Sequence, residues 1–544
     1  MSCAASLWRK FATRGFSLRP VDHFQRSTED GPQLRKTIGV IDLLLFGVGA
    51  IVGSGAFVLT GAAAKEHAGP SIVLSYLFAS LAALFSALCY SEFAVDIPMA
   101  GTAFNYMMVV FGDFVAWISA INLILEYTLS AASVAKGIAG YMATLFGWES
   151  GALLITFDSL PYIVIDISAF VVVALLSALL CVGIRESATT NNVVTLVNIA
   201  TMLLVIGLAL PRFDSENIAP FAPFGVKGMF TASSIVFFSY IGFDSVATIA
   251  EEVENPKRNL PIGIIGSLVI STVLYLAMSL AIVGMVSYED IDVNAAFSVA
   301  FSGVGINWAP TVISIGALAG ILTSLLLCIL GQARIFMALG REGFLPNWLA
   351  TVNSRTRTPI NATLTTFVLA GLPSLFLDIE ILSEMVSIGT LFVFFLVCLG
   401  VLWKTYYIPC SEAPKTGLVL VLSFVTLMSI GVGLSSELGG GLVVTLCLLG
   451  AWLIGTLALL AFPILHKTDK FTVPLKPLIP SAGILFTVHL MCSLGWPAYL
   501  RFGVWQIVGI VFYLCYGVHT PRSHEVEPMA VGLLKGYVSP VNSE

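Results

Sequence analysis

Fourteen apolar stretches, each about as long as a bilayer is thick, follow one another between residues 39 and 519, and this succession limits the possible folds more than any other feature. They fall near residues 39–60, 71–92, 114–141, 162–184, 191–210, 229–250, 262–286, 310–334, 360–378, 383–403, 416–435, 441–464, 480–496 and 503–519. A helix of about 20 apolar residues crosses the hydrocarbon core. Inside lipid every peptide N–H and C=O must find its partner within the protein, so such stretches become helices. A single soluble core is excluded, because 57% of the residues are hydrophobic, only 11% are charged and mean hydropathy is +0.95. The sequence therefore predicts an all-α polytopic membrane protein.

Charge sets the expected orientation. With the amino terminus in the cytosol, the inner loops and tails hold about 21 Lys and Arg and the outer loops about four, namely Lys65, Arg212, Lys227 and Arg501, as the positive-inside bias requires. Both termini then face the cytosol. The expected organisation is a basic tail (1–37), five spans (38–210), five more (211–404), four additional spans (405–519) and a second tail (520–544). Arg9, Lys10, Arg14 and Arg19 precede the first acid, Asp22, a pattern shared with organelle-import leaders, but a cytosolic tail is the preferred reading.

Inside the first stretch the sequence FGVGAIVGSGAF places Gly47, Gly49, Gly53 and Gly55 together. Each glycine weakens a helix by roughly 1 kcal/mol relative to alanine, so a break is expected here, with close helix packing as the plainer alternative. The sixth stretch, SSIVFFSYIGFDSVATIAEEVENP, repeats the device: Gly242 sits among bulky residues and is followed closely by Asp244. An acid at mid-membrane costs about 2.5–3.5 kcal/mol and needs a partner, either freed backbone N–H groups or a bound molecule. The two broken stretches open two groups of five spans. Because five is odd, the second group enters the membrane from the opposite side, which makes an inverted repeat. Half-helix ends meeting near the midplane offer N–H groups to an anion and carbonyls to a cation. An α-amino acid presents both charges a few ångström apart. The backbone around Ile51, Gly53, Ser54 and Gly55 is expected to hold its carboxylate, and carbonyls near Phe238 and Ile241 its ammonium.

Other polar groups at depth are few. Glu126 is the only acid inside the third span, where it is either a counter-charge for a basic substrate or a proton, or a buried hydrogen-bonding group. Thr323 and Ser324 in the eighth span are candidates for a sodium site or its remnant, against the alternative of bonding back to their own helix. Nine cysteines without CxxC spacing and six scattered histidines predict no disulfide framework and no metal site. No nucleophile–base pair or phosphate loop suggests an enzyme, so no catalytic residue and no cofactor are expected, and no basic stripe suggests nucleic acid as a partner. The expected partners are a small amino acid and the lipid around the helices.

The segments GVGAIVGSGAFVLTG, KEHAGPSIVLSY, CYSEFAVDIPMAG, LILEYTLSAASVAKG, GIRESATTNN, FFSYIGFDSVATIAEEVENPKRNLPIGI and LGREGFLP together resemble the cationic amino acid transporters of the amino acid-polyamine-organocation superfamily. The match runs from about Leu34 to Pro359. The resemblance implies a leucine-transporter-like five-plus-five inverted repeat with about four additional C-terminal transmembrane helices, working by alternating access. It implies that Glu126 lies near the substrate amine or side chain, that Phe238, Ile241 and Asp244 line or support the pocket, and that Phe238 gates it. One departure matters. Proton-coupled relatives carry a lysine in the fifth span, whereas Asn191 to Leu210 has none and Asn192 stands where some relatives place it, which points to uniport or exchange. The expected function is secondary active or facilitative transport of L-amino acids, cationic ones such as arginine and lysine. The alternatives are a neutral amino acid or polyamine carrier and a non-transporting sensor. The expected location is the plasma membrane or a vacuolar or lysosomal membrane.

Overall fold

The computed structural model describes residue 15 and residues 38–520, apart from residues 54, 98–101, 158–159, 184–187, 354, 357, 408–414 and 466–469. Both expected tails fall almost wholly outside these residues, and so does Ser54. In chain order the main helices are α1 (Val40–Ile51), α2 (Ile72–Asp96), α3 (Thr102–Val110), α4 (Asp113–Leu145), α5 (Ile167–Val182), α6 (Ala188–Ala209), α7 (Gly225–Val236), α8 (Pro256–Met285), α9 (Ala296–Gly303), α10 (Ala309–Arg341), α11 (Ile360–Phe376), α12 (Ile379–Tyr406), α13 (Lys415–Glu437), α14 (Leu442–Ala458), α15 (Leu478–Cys492) and α16 (Trp496–Phe512). Among the described residues ten helical segments are long and apolar enough to cross a membrane, and four shorter apolar helices, α1, α5, α11 and α15, supply the remaining stretches. All fourteen apolar stretches are thus helical.

Two boundaries differ from expectation for local reasons. A short antiparallel pair, β1 (Ile155–Phe157) and β2 (Leu160–Ile165), takes up the start of the fourth stretch, so α5 begins at Ile167. Asp166 sets that start by accepting a hydrogen bond from the Ala169 N–H at 2.9 Å. Trp496 and Pro497 belong to the first turn of α16 instead of to the turn before it. Proline fits there because the first helical N–H groups have no partner within the helix.

The packing pairs the second, third and fourth spans each with the one five places later. The second span (α2) lies against the seventh (α8), the third (α4) against the eighth (α10), and the fourth (α5) against the ninth (α11). The broken first and sixth spans meet between them. The four C-terminal spans dock on this ten-span body through α15, which packs on α2 and α12, and through α16. Polar bonds fix both contacts. Trp117 donates to the Gly509 carbonyl at 2.8 Å, Trp505 to the Ile121 carbonyl at 3.0 Å, and Ser234 to the Leu490 carbonyl at 2.7 Å.

Candidate functional site

α1 stops at Ile51, Val52 is extended (φ −83°, ψ 98°), and helix resumes at Gly55 to run through Ala68. α7 stops at Val236, continues as a 3-10 turn over Phe237–Tyr240, and opens at Ile241 (φ −65°, ψ 138°) and Gly242 (φ +122°) before a single turn at Ser245–Thr248. Both spans are interrupted, as their glycines predict. The breaks also touch. A Cβ on Gly242 would stand 2.6 Å from the Ala50 carbonyl oxygen, and one on Gly55 would stand 2.6 Å from the Ser239 Cα. Only glycine permits backbones to approach so closely.

Freed backbone groups at this depth must be satisfied, and tyrosines from neighbouring spans do much of this. The Tyr275 hydroxyl lies 2.9 Å from the Ile51 carbonyl and 3.0 Å from the Ser239 carbonyl, so one phenol serves both breaks. Tyr141 donates to the Phe57 carbonyl at 2.7 Å, and Tyr76 lies 3.3 Å from the Gly55 carbonyl and 2.7 Å from the Thr60 hydroxyl. Asn198 of α6 donates to the Val52 carbonyl at 3.2 Å. Replacing Tyr275 by phenylalanine is expected to lower thermal stability by about 1–3 kcal/mol, the cost of orphaned buried acceptors, as read by the melting temperature of the purified protein.

Between the breaks, α4 and α10 line a small cavity of about 40 Å³. Of the residues expected at a substrate site, Ile51, Gly53, Gly55, Glu126, Phe238, Ile241 and Asp244 all line it; Ser54 lies outside the described residues. Ser324 lines it as well, its hydroxyl packed on Gly53. Thr323 does not, and instead donates to the Ala319 carbonyl of its own helix at 3.0 Å. The Phe238 carbonyl already accepts from the Ile241 N–H at 3.1 Å, so it has one lone pair left to offer a ligand.

The charge balance of the wall is its most telling property. Glu126 and Asp244 both face the cavity, and among the described residues no lysine, arginine or histidine lines it. Tyr127 holds Asp244 by donating to Oδ2 at 3.0 Å. Both acids are buried; the Thr390 hydroxyl stands near Glu126, and backbone N–H groups around Gly242–Ser245 stand near the Asp244 carboxylate. A carboxylate removed from water is costly unless compensated, so this pair suits either a proton or a cation in the cavity.

Sequence reasoning missed Tyr127, Ser130, Ser239 and Cys328 in the wall. Tyr127 carried a signal, since a phenol beside Glu126 at membrane depth needs an acceptor. Lys136, ten residues after Glu126 on α4, has Asp166 and Asp378 as its charged neighbours. Away from the cavity, Glu66, His67 and Glu380 are close enough together to hold a metal ion, but His67 Nε2 is already bonded to Glu380 Oε1 at 2.9 Å. The described cysteines are all free thiols.

A family model described as "Amino acid permease" matches residues 38–435, and one described as "C-terminus of AA_permease" matches residues 471–521. The chain is 38% identical to cationic amino acid transporter 6, chloroplastic, of Arabidopsis thaliana, over 91% of this chain and 88% of that protein. It is 36% identical to cationic amino acid transporter 8, vacuolar, of the same plant, over 97% and 90% of the two chains. Among solved structures, MhsT in complex with L-phenylalanine superposes with a TM-score of 0.51 at 14% identity, covering 79% of this chain and 99% of MhsT. That likeness shows the leucine-transporter-like fold.

Proposed function

We propose, from the premise that this chain belongs to the amino acid permease family, that it carries cationic L-amino acids across a membrane by alternating access around the cavity between its broken helices. The observation that carries the proposal is the pair of buried carboxylates, Glu126 and Asp244, in a wall that among the described residues holds no basic side chain. The ends of the broken helices suit the α-carboxylate and α-ammonium shared by all amino acids, and the acids suit a positive side chain. The relatives' names agree with this. Transport, not catalysis, is the role, with repeats at 38–210 and 211–404 and both termini in the cytosol.

Facilitated movement or exchange is favoured over ion coupling. The Val52 carbonyl at the first break already accepts from the Asn198 amide, Thr323 is turned to its own helix, and Asn192 donates to Asp42 at 2.8 Å.

The test is uptake of labelled arginine, alanine and putrescine into liposomes holding the purified protein, at two external pH values. Arginine is expected to be taken up fastest with little dependence on the proton gradient, and equal uptake of arginine and alanine would refute the basic preference. In the same assay Glu126→Gln is expected to raise the arginine KM by about tenfold or more while changing alanine little, since hydrogen bonds to charged groups are worth about 1.5–3 kcal/mol. An equal loss for both substrates would assign Glu126 a structural role.

A further inference from the structure

A column of aromatic rings leads from the cavity to the end of the bundle where α2 and α12 finish. Phe243, next to cavity-lining Asp244, meets Tyr90 edge-on at 5.7 Å and Phe394 at 5.0 Å. Tyr90 meets Phe394 at 5.2 Å and Tyr106 at 6.0 Å, and Tyr106 stacks on Phe93 at 5.1 Å. The Lys404 ammonium stands 5.2 Å above the Phe93 ring and is paired with Asp96. All five rings are fully buried, so this end of the cavity is shut.

Phenylalanine would make the same ring contacts. Yet two of the five are tyrosines, and the hydroxyls of Tyr90 and Tyr106 are buried with no hydrogen-bond partner. A buried O–H without a partner disfavours the state that contains it, and water restores the bond when the rings separate. We infer that this column is the gate at the α2 and α12 end of the cavity, and that the Tyr90 and Tyr106 hydroxyls are positioning groups that bias it toward opening by being hydrated only in the open state. The inference rests on the cavity being the transport site and is independent of cationic specificity.

Cys328 in the cavity wall reports the gate directly, and its labelling can be read without substrate. A membrane-impermeant methanethiosulfonate reagent is added to either side of sealed vesicles, and modification of the Cys328 peptide is followed by mass spectrometry. The Tyr90→Phe/Tyr106→Phe double variant is expected to label about tenfold more slowly from the side that carries Lys404, to lose maximal uptake rate by a similar factor, and to melt at a higher temperature. Unchanged labelling from that side would overturn the inference. So would a lower melting temperature, because hydroxyls that support the closed structure cannot favour its opening. If no substrate is transported by the unaltered protein while the labelling still slows, the proposed function fails and the gate stands.

Discussion

Alanine at Gly242 is expected to reduce uptake in liposomes to below about one hundredth of the unaltered rate. Two costs combine. Gly242 has φ +122°, where a side chain is strained by about 1–3 kcal/mol. The added Cβ would also meet the Ala50 carbonyl oxygen at 2.6 Å and the Ile51 nitrogen at 3.2 Å, which are backbone atoms of the other broken span and cannot rotate aside. Relief requires the breaks to move apart, and that dismantles the cavity. Gly53→Leu acts on the same wall by a different clash, with the Ser324 hydroxyl at 2.7 Å, and is expected to abolish substrate binding while membrane insertion proceeds. Gly450→Ala is the control: nothing lies within 4 Å of its Cβ, and both uptake and melting temperature should be preserved or slightly raised. Uptake near the unaltered level in the Gly242 variant would contradict the close crossing of the two breaks.

The second large effect is expected at Lys476, on the segment that enters α15. Its ammonium lies 2.6 Å from Glu92, a residue only 2% exposed near the end of α2, and the same carboxylate accepts the Val473 N–H at 2.8 Å. Lys476→Met leaves Glu92 buried and uncompensated, which typically costs about 3–5 kcal/mol and should appear as a marked drop in melting temperature. The double variant Glu92→Gln/Lys476→Met is expected to recover most of the loss, because an amide still accepts from Val473 without bringing a charge. Equal destabilisation in the single and double variants would show that the ion pair is not what holds the segment. Asp96 repeats the arrangement with Lys404 and, at 3.8 Å, Lys470, so the C-terminal spans are fastened to the end of the proposed gate by charge.

The extent to which all this was legible in the chain follows from where the information resides. Apolar runs of bilayer length make helices through purely local physics, because lipid offers the backbone no other partner, and all fourteen runs are helical. The glycine cluster around Gly53 and the lone Gly242 announce breaks for an equally local reason, and seven of the eight residues expected at the substrate site line the cavity. Glu126 and Asp244 stood out because acids are rare at that depth. The tyrosines did not: Tyr275, Tyr76 and Tyr141 look like ordinary membrane aromatics until the carbonyls that they bond are known. The lysines at 404, 470 and 476 entered only through the total of positive charge on the inner side.

Helix content, the sites of interruption and the scarcity of buried acids are set by the amino acids themselves, since each depends on a residue and its near neighbours in an apolar solvent. Which phenol caps which break, that Thr323 turns away while Ser324 faces inward, and that Lys476 reaches Glu92 nearly four hundred residues away were decided only when the helices packed. Those outcomes turn on distances between segments remote along the chain, and no local pattern encodes a distance.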